Sequence, residues 1–204
     1  MDLTDQTLIS EEHIRAAGAG ATLRISEKAL VTPLAADLAR ERHITLERVA
    51  RAAPAGRPLT RKIAIGADHG GFEMKEALKK VLDELGCEYQ DFGTNSTAAV
   101  DYPDFAQAVA LAVARKTCDL GIMIDGAGIG SCMAANKVSG VRAAMCYDEA
   151  SARNSREHNG ANVLTLGGKM ISNDKMREIV RIWLSTELTE ERHRRRVAKI
   201  DALM

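Results

Sequence analysis

The residues of this chain that could do chemistry sit in three places. Asp68 and His69 stand before Gly70 and Gly71, Asp125 stands before Gly126, Gly128 and Gly130, and Arg192 and Arg196 lie four apart near the end. A carboxylate beside a glycine turn can take a proton from carbon while backbone N–H groups hold the resulting oxyanion. Two guanidiniums four apart share one helix face and suit a phosphate. Each group also has a plainer reading. GAGIG matches neither the phosphate-binding loop nor a full dinucleotide motif and could be a tight strand-to-helix turn. RHRRR could be a solvated basic face.

The elements that must position these residues alternate. KIAIGAD reads as a short apolar strand, and FEMKEALKKVLDELG as an amphipathic helix stopped by Gly86. CEYQDFG, DLGIMID, VRAAMCY and NVLTLGG continue as strands. YPDFAQAVALAVARK, EASARNSREHN, DKMREIVRIWLS and TEERHRRRVAKIDAL are the helices between and after them. This order predicts an α/β fold, doubly wound and Rossmann-like, with a mainly parallel sheet covered by helices on both faces. Such sheets bind ligands outside the carboxyl ends of their strands, where Asp68, His69, Asp125, Tyr147 and Asp148 fall.

Residues 50–61, ARAAPAGRPLTR, carry two prolines and three arginines without an apolar period and read as a linker between a small N-terminal extension, 1–49, and a main domain, 62–204. In the extension Ser10 can cap a helix ending near Gly18, TLRIS is a possible strand, and Thr32 and Pro33 can start a second helix. So few large apolar side chains would make it marginal alone.

Composition narrows the classes. Lysine plus arginine equals aspartate plus glutamate at 28 each, so any anion site must be local. An aromatic share of 3% leaves little to stack on bases, which argues against a nucleic-acid partner. No apolar stretch approaches the roughly 20 residues of a membrane span, and the acidic start lacks the pattern of a signal peptide, so a cytoplasmic location is expected. Cys87, Cys118, Cys132 and Cys146 are widely spaced, as free and mostly buried thiols would be.

From about Lys62 onward the chain resembles the sugar-phosphate isomerase family of type B ribose-5-phosphate isomerases and galactose-6-phosphate isomerases. The resemblance rests on GADHGGFEMK, DFGT, DYPDFA, the glycine loop leading into AANKVSGVRAA, REHNGANVLTLGG and RHRRRV, in that order. It implies interconversion of an aldose phosphate and a ketose phosphate through an enediolate, without metal or other cofactor, in a homodimer or dimer of dimers with active sites shared between subunits. By the same likeness Asp68 and His69 line the pocket and Tyr102 forms its wall. His158, with Asn159, opens the sugar ring from the partner subunit. Arg192 and Arg196 bind the phosphate, while Gly126, Gly128, Ile129, Gly130 and Asn136 belong to the loop and helix that cradle the substrate.

The chain departs from that family at the base. Some members carry a cysteine at the position of Asp125 and others a glutamate at that of Ser131, and Ala127 replaces a usual hydroxyl. Asp125 could serve as the base, being ionised at neutral pH where a thiol must first be activated. Cys132, near a helix start, is a second candidate, with a packing role as its plainer reading. A phosphosugar-binding or assembly protein without catalysis is the third possibility, and a hexose 6-phosphate is an alternative substrate to ribose 5-phosphate. His13 and His43 fall outside the expected site, and His193 neighbours the two arginines but is expected to point off their face.

The extension resembles N-terminal segments of enzymes packaged in bacterial microcompartments. That likeness implies docking on a shell or cargo protein through a helix with Ile9, Ile14 and Ala17 on one side; an added oligomerisation arm is the alternative.

Overall fold

The computed structural model describes residues 1–4, 6, 8–27, 29–49 and 61–203. The chain divides into two compact units, Met1–Ala55 and Gly56–Met204. Apart from Arg61, the expected linker lies outside the described residues. Arg61 itself donates to the Leu184 carbonyl at 3.0 Å and pairs with Glu187, both in the second unit.

The first unit holds more regular structure than its sequence suggests. Its elements are β1 (Asp2–Leu3), β2 (Leu8–Ile9), α1 (Glu11–Ala16), β3 (Thr22–Ser26), β4 (Leu30–Val31), α2 (Pro33–Glu41) and β5 (Thr45–Val49). The strands pair in parallel as β1-β3-β5 and β2-β4. Both expected helix starts are present: Ser10 N–H donates to His13 Nδ1 at 3.1 Å, and Thr32 Oγ1 accepts from Ala35 N–H at 3.2 Å. Ile9, Ile14 and Ala17, expected on a docking face, are instead buried with Leu23, Ile25 and Ala35 in a core of the unit's own. The reason is the pairing of strands that the sequence reading did not anticipate, which gives those side chains an internal partner. Among the unit's described residues, Met1, Leu8, Leu30 and Leu34 are the large apolar residues left exposed.

The second unit is the doubly wound sheet. Its elements follow as β6 (Lys62–Ala67), α3 (Phe72–Glu84), β7 (Glu88–Asp91), α4 (Tyr102–Ala114), β8 (Leu120–Asp125), α5 (Ile129–Ala135), β9 (Ala143–Met145), α6 (Glu149–Glu157), β10 (Val163–Gly167), α7 (Asn173–Ser185) and α8 (Glu191–Asp201). Strand order is β7-β6-β8-β10-β9, and every pairing is parallel. Alternation along the strands divides the core into two layers. Ile63, Ile65, Ile122, Ile124, Leu164 and Leu166 meet α3, α6 and α7, while Ala64, Met123 and Val163 meet α4 and α5. Cys87, Cys118 and Cys146 are buried, and Cys132 is half-buried; all four are free thiols.

This order fixes where a ligand belongs. The chain leaves β6 toward β7 on one side and returns to β8 on the other, so the crevice of the sheet opens between the carboxyl ends of β6 and β8. Asp68 follows the first of these strands and Asp125 ends the second.

Candidate functional site

Asp125 is 4% exposed, and its carboxylate faces the loop that follows it. Oδ1 accepts the N–H of Ala127 at 2.8 Å and that of Gly128, while Oδ2 accepts the N–H of Ser131 at 2.9 Å and its hydroxyl at 2.5 Å. An ionised carboxylate offers about four lone-pair positions, and four donors occupy them. Of the loop amides expected to face an enediolate, that of Gly128 donates to Asp125 instead, as do those of Ala127 and Ser131. The reason is local: φ of +81° at Gly128 turns the chain back over the end of β8, a conformation glycine adopts without a Cβ penalty. Thr165 Oγ1, from β10, then secures the loop by donating to the Gly128 carbonyl at 2.9 Å.

Asp68 is held differently. Its Oδ1 accepts the N–H groups of Gly70 at 2.8 Å and Gly71 at 3.0 Å, which fixes the carboxylate plane at the start of α3. Among the described residues Oδ2 accepts no hydrogen bond, and the nearest cationic candidate is His69 Nδ1 at 3.9 Å. His69 is partly exposed, with Nδ1 lying 3.2 Å from the Val100 carbonyl oxygen.

Tyr102, the first residue of α4, lies over the glycine loop. A Cβ placed on Gly130 would come within 2.5 Å of its ring, so this close approach needs a residue without a side chain. Ile129 beside it is exposed, and nothing but the Lys169 side chain comes within 4 Å of a Cβ built on Gly126. Lys169 was not anticipated. Its signal was present, since it follows NVLTLGG just as Asp68 follows KIAIGA, and it brings a cation to an edge otherwise lined by carboxylates.

Three expected residues have other partners here. Asn136 gives its side-chain amide to the Cys132 and Ala143 carbonyls at 3.0 and 2.9 Å and accepts from Ala143 N–H at 2.8 Å, which ties the end of α5 to the start of β9. Cys132 Sγ donates to the Ala143 carbonyl at 3.4 Å. Asp148 caps α6 by accepting from Ser151 N–H at 2.7 Å, and its hydrogen bonds to Ser151 hold its carboxyl below the usual range.

The remaining residues form a second cluster at the opposite edge of the sheet. Helix α6 starts beside the carboxyl end of β9 and runs back for nine residues, roughly 14 Å, to His158 at its C-cap. His158 stacks on His193 of α8, with ring centroids 4.3 Å apart. Arg192, Arg195, Arg196 and Lys199 of α8 line an open hollow of about 230 Å³, so the basic face holds four cations where two were expected. Arg192 also pairs with Glu190 at 2.5 Å. One chain therefore carries the carboxylates and the glycine loop at one edge, and His158 and the arginines at the other. Among the described residues no group of three or more His, Cys, Asp or Glu could hold a metal ion.

The family model described as Ribose/Galactose Isomerase matches residues 63–200, the whole of this sheet and both clusters. The chain belongs to that family. It is 43% identical over 143 residues to ribose-5-phosphate isomerase B of Escherichia coli, covering 70% of this chain and 96% of that protein. It is 46% identical over 140 residues to a putative sugar phosphate isomerase of Bacillus subtilis, covering 68% and 94%. Among solved structures, the type B ribose 5-phosphate isomerase of Trypanosoma brucei superposes with a TM-score of 0.69 at 44% identity, covering 71% of this chain and 99% of that one. The chain is thus a sugar-phosphate isomerase of the family, and its residues before 63 lie outside the family match. Among the described residues no helix is long and apolar enough to cross a membrane.

Proposed function

We propose that this chain interconverts ribose 5-phosphate and ribulose 5-phosphate through an enediolate, with Asp68 rather than Asp125 taking the proton from C2. The observation that carries the assignment is the contrast between the two carboxylates: four donors occupy Asp125, whereas Asp68 keeps Oδ2 without one and its plane fixed through Oδ1. A base must present a lone pair to the proton it removes. Asp125, the base expected from its position, then acts by holding the glycine loop in shape. Lys169 supplies positive charge, and His69 a polar ring, beside the oxyanion.

The two clusters support a homodimer in which each site takes Asp68 and the glycine loop from one copy, and His158, Arg192 and Arg196 from the other. Exposed Tyr102, Ile129, Met133 and Met170 around the loop give such a contact an apolar centre. The reading is tested by turnover of ribose 5-phosphate alongside a hexose 6-phosphate. Preference for the hexose would change the substrate, and phosphate-sugar binding with no turnover of either would leave a binding protein.

The first unit is proposed to dock the enzyme on another protein, such as a microcompartment shell or cargo component. Leu8 and Leu30 support this, because they are register partners in β2 and β4 and both are exposed. Loss of co-localisation on substituting both by Asp, with turnover unchanged, is the expected result.

A further inference from the structure

Asn154 and His158 lie four apart on α6, with Asn154 Nδ2 3.1 Å from His158 Nδ1. Asn159 Nδ2 donates to Asn154 Oδ1 at 3.3 Å, which leaves the Asn154 NH2 end for the histidine. An amide NH2 only donates, so His158 Nδ1 accepts and the proton of its neutral ring resides on Nε2. Among the described residues that Nε2 has no hydrogen-bond partner. The other face of the arrangement is His193, which is 3% exposed and parallel to His158 within 10°. Among the described residues neither nitrogen of His193 is hydrogen bonded, and a carboxylate oxygen of Glu190 lies 3.7 Å from Nε2. With no hydrogen bond to give, what His193 offers is a flat face. Burial first, then the neighbouring His158, Arg192 and Arg196, push its titration below the ordinary histidine value against the opposing pull of Glu190.

We infer that Asn154 and His193 are positioning residues for ring opening: Asn154 sets the tautomer of His158 and His193 sets its plane, so that Nε2–H points at the ring oxygen of the sugar. The inference rests on the isomerase reading above. In the step itself the C1–O4 bond of the furanose breaks and its electron pair stays on O4. The O1–H pair becomes the C1=O1 bond, and water carries the released proton from O1 to O4. His158 Nε2–H donates a hydrogen bond to O4 as negative charge gathers there, and the imidazole is unchanged at the end.

Ribulose 5-phosphate offers a way to separate this step from enediolate formation. With its C5 oxygen phosphorylated it cannot close a furanose, so exchange of its C1 proton with deuterated water requires no ring opening. We expect His193→Leu and Asn154→Ala to lower ribose 5-phosphate turnover roughly tenfold or more, while C1 exchange on ribulose 5-phosphate and competition by inorganic phosphate stay within about twofold. His193→Phe, which keeps the flat face, is expected to recover most of the turnover. Nitrogen-15 NMR of the wild type should find the His158 proton on Nε2. A proton on Nδ1, equal loss of turnover and exchange in the variants, or a phenylalanine no better than leucine would each overturn the inference while leaving the isomerase reading intact. Absence of C1 exchange in the wild type would overturn both.

Discussion

Ser131 gives both its backbone N–H and its hydroxyl to one oxygen of Asp125, at 2.9 and 2.5 Å, and neither residue reaches solvent to any useful extent. The pair closes the glycine loop from the inside. Removing the carboxylate leaves buried N–H groups without acceptors, each costing about 1–3 kcal/mol. Asp125→Ala should therefore destabilise the fold by about 3 kcal/mol and lower Tm by roughly 6–12 °C. Thermal unfolding followed by circular dichroism checks this; an unchanged Tm would show that the loop does not depend on the carboxylate.

A second prediction concerns pH. Lys75 is fully buried and pairs with Asp91 at 2.5 Å, which Lys79 also reaches at 2.8 Å. Burial alone would raise the Asp91 carboxyl, but the hydrogen bonds from Lys75, Lys79 and Gly93 N–H prevail and hold it below the usual range. A carboxyl depressed in the folded state stabilises above its unfolded value of about 3.9, and that stabilisation fades as pH falls through the folded value. Asp91→Asn, which leaves a buried ammonium with only Glu76, should cost about 3 kcal/mol at pH 7. The gap from wild type should narrow below about pH 4. Urea unfolding across pH would reveal a constant gap if the pairing were unimportant.

Sharing of sites between copies predicts complementation. Asp68→Asn carries an intact Arg192 and Arg196, and the double variant Arg192→Ala, Arg196→Ala carries an intact Asp68. Mixed after unfolding and refolding together, the two inactive proteins should regain about a quarter of wild-type turnover, because half of the random dimers contain one intact site of two. No recovery would mean that each chain builds its own site.

Much of this was legible in the sequence. The alternation of strands and helices and the carboxyl-edge positions of Asp68 and Asp125 follow from periodicity and strand order, since buried parallel strands need apolar runs and crossover helices. What the sequence does not carry is the direction in which a side chain turns. Asp125 occupies the expected place, yet Gly128 curls the chain so that its own loop reaches the carboxylate first. Asn136 was expected at the substrate, but its amide matches the backbone of β9, a partner seven residues away that no local pattern reveals. In the first unit TLRIS, expected as a strand, is β3, whereas β1, β2 and β4 escaped because they are two residues long and too short to show a period.

The tightness of Gly130 under Tyr102 gives a further expectation. Gly130→Ala should displace the ring and lower kcat/KM roughly tenfold with little change in Tm, since Tyr102 is 39% exposed and free to swing. Replacing Tyr102 by Ala in the same chain should add little further loss, because the ring has already been moved. Strictly additive effects on kcat/KM would mean that the contact does not shape the site.

The assignment of the base is tested most directly by deuterium entry at C2 of ribose 5-phosphate in deuterated water, comparing wild type, Asp68→Asn and Asp125→Asn below their unfolding temperatures. With Asp68 as the base, its asparagine variant should lose exchange by a factor on the order of a hundred to ten thousand while still binding the phosphosugar, and Asp125→Asn should keep exchange within about tenfold. Exchange abolished in Asp125→Asn and retained in Asp68→Asn would contradict the account.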